Sequence, residues 1–167
     1  MTAPLRERVI KLAKLFDKVV QLPEVDVTIE KVGSEELEEL RNKRGCPKDL
    51  LLILESIGCV RDFGRNGGAV IDWWVPCSIE KANKEERCPY EPDPRLIKNA
   101  DKLLFFAWDC DALIYFYDIS SYPWQIVSTD GLTVSLEEQN YVEEDWTVFE
   151  TWNEDVGLIE LIQNLLE

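Results

Sequence analysis

The apolar run LLFFAW ends on Asp109-Cys110-Asp111, two carboxylates spaced two residues apart. Such a pair could hold a hard divalent cation, as in the Asp-x-Asp sites of many glycosyltransferases, because these cations prefer oxygen ligands. The same residues suit the tight turn of a hairpin, since aspartate side chains bond nearby backbone amides and tolerate turn geometry. We prefer the turn, because neither a Gly-rich phosphate loop nor a βαβ unit accompanies the pair. Cys110 is a poor nucleophile between two negative charges that disfavour its thiolate. Histidine is absent altogether, which removes Ser-His-Asp and Cys-His pairs, histidine zinc sites and histidine general bases. Paired carboxylates for glycoside hydrolysis are available in number, yet the sequence places no two of them at the required separation. The five cysteines (Cys46, Cys59, Cys77, Cys88, Cys110) show no CxxC spacing, so neither a disulfide framework nor a structural zinc site is indicated. We expect no enzymatic activity, no cofactor, no bound metal and a reducing cytoplasmic location.

Charge supplies the candidate binding residues. The 167 residues carry 33 Asp and Glu against 18 Lys and Arg, a net charge of −15. All 18 bases fall within residues 1–102, whereas residues 103–167 hold 14 acids and no base. Such a segment repels phosphate backbones and anionic lipid, and it attracts and steers a basic protein. Within it, Glu137, Glu138, Glu143, Glu144 and Asp145 precede Trp146, which combines charge for steering with an aromatic anchor. These six residues, with Asp109 and Asp111, form the candidate partner-binding set. A solvated acidic loop is the plain alternative. Six tryptophans exceed what a small core needs; Trp73 and Trp74 are adjacent, so on a strand they point to opposite faces.

Several elements must position these residues. Leu5, Val9, Leu12, Phe16 and Val19 recur in steps of four and three, which predicts a helix over 4–21. Its basic polar face resembles a membrane-surface helix, but packing on the domain's own core is the better reading. A second helix is expected from Ser34 as N-cap to a stop at Gly45. A third opens at Pro47, runs through Leu50–Leu54 and ends at Gly58; it is apolar on most sides and so central to the core. A Gly-rich turn over 62–68 precedes a strand 69–75, and Ser78 caps a polar helix 79–87. Strands 103–108 and 113–117 form a hairpin; strand 124–128 turns at Asp130-Gly131 into 132–136. An edge strand 146–152 and a closing helix from about 155 complete a single α+β domain, with a mostly antiparallel sheet of about five to six strands packed with helices. No apolar run is long enough to cross a bilayer, and the charged N-terminus predicts no signal peptide.

This pattern resembles the SUKH superfamily, which includes fungal cell-wall synthesis regulators and bacterial immunity proteins of polymorphic toxin systems. The resemblance covers most of the chain. It rests on the leading helix, Cys46-Pro47 opening an apolar helix that ends at Gly58, the strand leading to Pro76 and Ser78-Ile79-Glu80, the hairpin LLFFAWDCDALIYFYD, Trp124, the turn at Asp130-Gly131 and the final apolar helix. The superfamily usually carries Leu before the proline, Asn before the helix-ending glycine and Gly in the hairpin turn; this chain has Cys46, Ile57 and Ala112 there. The resemblance implies a binding fold without catalytic residues. The function expected is that of a cytoplasmic immunity protein which neutralises a basic toxin domain, such as a nuclease, with neither nucleic acid nor membrane as a direct partner. A general protein-interaction module of the cell-wall regulator type is the alternative, and a small carboxylate-based enzyme comes third.

Overall fold

Val9, Leu12, Phe16 and Val19 are buried along one stripe of helix α1 (Leu5–Val20), and Leu5 packs half-buried at its start. In the computed structural model, which describes residues 3–90, 92–97, 99–120, 122–130, 147–148 and 157–167, α1 joins α3 (Lys48–Ser56) and α5 (Gly157–Leu166) in one helical layer. In α3 Leu50, Ile53 and Leu54 are buried, and Pro47 stands at its N-cap. In α5 the buried positions Leu158, Ile159, Ile162 and Leu166 form the expected single face. The N-cap of α2 (Ser34–Arg41) is Gly33, one residue before the expected Ser34, and the helix stops at Arg41 rather than near Gly45. Gly45 instead has φ +83° and lies beneath Trp124, whose ring would sit 2.9 Å from an added Cβ.

This three-helix layer covers one face of an antiparallel sheet ordered β1-β2-β4-β5-β6-β7-β8, with β3 paired to β2. Its strands are β1 (Val25–Glu30), β2 (Cys59–Arg65), β3 (Gly68–Ala69), β4 (Ile71–Cys77), β5 (Leu103–Asp109), β6 (Leu113–Asp118), β7 (Gln125–Asp130) and β8 (Thr147–Val148). The α+β class and the antiparallel sheet are as the sequence predicts. The sheet also includes β1 and β2, where the sequence suggested no strand. Residues 62–65 belong to β2 because Asp72 of β4 accepts hydrogen bonds from the backbone N–H groups of Asp62 and Phe63 at 3.1 and 3.0 Å, which holds Asp62 at φ +54° inside the strand. Gly58 enters β2 with φ +98°, and the β1 backbone runs so close that an added Cβ would lie 2.5 Å from the Glu30 carbonyl oxygen. No other residue fits there.

Trp73 and Trp74 are 1% and 2% exposed and serve the two faces of the sheet. Trp73 meets Phe16 of α1 and donates from Nε1 to the Gly58 carbonyl at 2.8 Å; Trp74 packs edge-on against Phe105 and donates to its carbonyl at 2.9 Å. The second tryptophan therefore fills a second core layer. Helix α4 (Ile79–Lys84) packs against β5, and the Ser78 hydroxyl accepts from the Lys81 N–H at 3.2 Å as the expected cap. The expected strand 132–136 and most of the expected edge strand 146–152 lie outside the described residues.

Candidate functional site

At the end of the β5–β6 hairpin, Asp109 is only 3% exposed. Its Oδ1 accepts from the N–H groups of Asp111 (2.9 Å) and Leu113 (3.2 Å), its Oδ2 accepts from the Tyr115 hydroxyl, and its carbonyl accepts from Ala112 N–H at 3.1 Å. The Asp-x-Asp pair is thus divided: Asp109 builds the turn from within, and Asp111 is exposed at the tip. Burial, then the Asp109 carboxylate, push the Tyr115 hydroxyl well above its ordinary range. The Cys110 thiol is also raised, by partial burial and then by Asp111 and Asp109. Neither group is prepared for nucleophilic work near neutral pH. Of the other candidate docking residues, Glu137, Glu138, Glu143, Glu144, Asp145 and Trp146 lie outside the described residues.

Two further buried carboxylates are likewise employed in architecture. Asp49 is 2% exposed in the first turn of α3; it accepts from the N–H of Leu50 at 2.8 Å and from that of Leu158, at the start of α5, at 3.3 Å. Asp72 is 4% exposed, and burial pushes its carboxyl above the usual range against the two N–H donors that favour its charge.

A concave polar site that no sequence motif announces lies where the ends of β1 and β4 meet α2 and α4. This cleft of about 170 Å³ is lined by Lys31, Val32, Cys59, Val75, Cys77 and Lys81, together with Glu30, Glu36, Glu85 and Arg87. Arg87 is its organising residue: Nη1 donates to Glu30 at 3.3 Å and Nε donates to Glu85 at 3.1 Å. Arg61 supports the same pair, with Nη2 donating to the Glu85 carbonyl at 3.3 Å and Nε 3.7 Å from Glu30. Burial raises the Cys59 and Cys77 thiols to about 11, so both are neutral walls near neutral pH. Five elements supply the lining, and nothing in their spacing along the chain betrays the convergence.

A third feature is the corner where the α2–α3 loop meets the β6–β7 loop. Trp124 donates from Nε1 to the Arg44 carbonyl at 2.9 Å and from its backbone N–H to the Gly45 carbonyl at 3.1 Å. Two residues earlier, Tyr122 is 66% exposed and carries the Arg44 guanidinium 4.5 Å from its ring centre.

The chain matches no family model, no curated protein and no solved structure. Fold and site define an acidic α+β protein with an antiparallel sheet, a three-helix layer and a small polar cleft; among the described residues no helix is long and apolar enough to cross a membrane.

Proposed function

We propose that the chain is an immunity protein of the SUKH kind, which binds a basic toxin domain and blocks its active site or substrate path. The observation that carries this reading is the segregation of charge, with 14 acids and no base in residues 103–167. A nuclease toxin has a basic phosphate-binding cleft, and a surface of this composition competes with nucleic acid for it. A helical layer on an antiparallel sheet, and buried carboxylates committed to the fold, support a binding role over a catalytic one.

The decisive experiment has two parts. Purification from the native host should bring down a basic protein, encoded by a toxin-like reading frame beside this one. Association kinetics with that protein should then slow as salt rises, and reversal of Glu143, Glu144 and Asp145 to Lys should lower the association rate about tenfold or more while thermal unfolding is unchanged. Indifference to both salt and reversal would defeat the reading. The general interaction module is favoured by one observation, the exposed Tyr122 with Arg44 against it, because Tyr and Arg are enriched where partners anchor. On that reading Tyr122→Ala speeds dissociation, and the triple reversal changes little.

A further inference from the structure

The cleft at Arg87 has a surplus of unused donors. Glu30 and Glu85 are taken up by Arg87, with Arg61 behind them. Arg87 Nη2 has no acceptor, and Lys31 and Lys81 have no ion-pair partner among the described residues. Beside these donors stand Val32, Val75 and the neutral thiols of Cys59 and Cys77. With Glu30 and Glu85 engaged by Arg87, the uncommitted charges of the lining are Lys31 and Lys81 against Glu36, and Val32, Val75 and the two thiols supply its apolar part. The volume of the cleft is about 170 Å³. That is too small for a nucleotide, whose sites run from about 300 Å³ upward. A dianion such as phosphate would face Glu30, Glu36 and Glu85 at close range, whereas a single planar carboxylate matches an arginine edge and brings one charge only.

We propose that this cleft binds a small organic monocarboxylate, its head group held by Arg87 and Lys81 and its hydrocarbon tail against Val32, Val75 and the two thiols. The inference is independent of the toxin-binding reading, and either can fail alone. The two thiols report on occupancy from inside the cleft, and the exposed Cys110 at the hairpin tip serves as an internal reference.

The test is alkylation of the native protein by N-ethylmaleimide, followed residue by residue by mass spectrometry, with butyrate as the probe and its neutral isostere butyramide as the control. A Kd of about 1 mM is within the ceiling for a ligand of six atoms. At about 10 mM butyrate, alkylation of Cys77 and Cys59 should then slow about tenfold, since only the unliganded fraction reacts. Cys110 should be unaffected, and butyramide should protect nothing. Lys81→Gln, an exposed substitution that leaves the Arg87 ion pairs in place, should abolish most of the protection; Arg87→Gln should abolish it too, with folding confirmed by thermal unfolding. Equal protection by butyramide, or none by butyrate, would overturn the proposal. Protection by N-acetylglutamate amide but not by butyrate would overturn it as well, by placing a partner's acidic side chain in the cleft.

Discussion

Ala112 adopts φ +62° at the turn that Asp109 organises. A left-handed conformation crowds its Cβ against the following carbonyl, at a cost of about 1–2 kcal/mol that glycine does not incur. The turn holds because Asp109 receives three donors within five residues of chain. Ala112→Gly should therefore raise stability by about 1 kcal/mol, once the greater freedom of an unfolded glycine is deducted. Urea unfolding would show it as a higher midpoint at unchanged slope; a lower midpoint would mean that the methyl group makes a contact worth more than the strain. The alanine at this turn is plain in the sequence, but its conformational consequence is not. The same limit applies to Asp109: its pairing with Asp111 suggested a turn, whereas its burial depends on Tyr115, which only strand register brings to it.

At the level of elements, α3 and α5 are coupled by one carboxylate. Asp49 reaches across 109 residues of chain to the Leu158 N–H, one of the donors a helix start leaves without an internal partner. Removing it leaves that buried group unsatisfied, so Asp49→Ala should cost about 1–3 kcal/mol. Hydrogen exchange should place the effect at the first turn of α5; an unchanged exchange rate there would show that α5 docks through its apolar face alone. Helices α1, α3 and α5 were legible because their apolar positions repeat at helical spacing, and the β5–β6 hairpin because two aromatic strands flank a turn. Strand β1 (VDVTIE) was not, since it is an edge with three exposed positions and a register shift near Val27. Strand β2 was hidden by Asp62 and Gly64, which read as turn residues until Asp72, ten positions on, supplies the acceptor that makes a bulge of them. Of the candidate docking residues only Asp109 and Asp111 fall on described elements, and the cleft drew on five elements that share no local signature.

For the whole molecule, a net charge of −15 means that folding gathers like charges. The surface ion pairs, such as Arg65–Glu24 at 3.6 Å and Arg41–Glu38, are half exposed and worth about 0–1 kcal/mol each, too little to offset that repulsion. Raising sodium chloride from about 0.01 to about 1 M shortens the screening length from about 30 to about 3 Å, so thermal stability should rise across that range. A fall would show that the network of Arg61, Glu30, Arg87 and Glu85 outweighs the long-range field. The helical layer also sets a schedule for biosynthesis. Because α1 is made before α5, against which it rests, the apolar stripe of residues 5–19 has its full cover only after Leu166 has been added. At about 5–20 residues per second, the nascent chain carries that stripe incompletely covered for about 10–30 seconds. A chaperone that recognises amphipathic helices on the ribosome therefore has its target well before the helical layer can close.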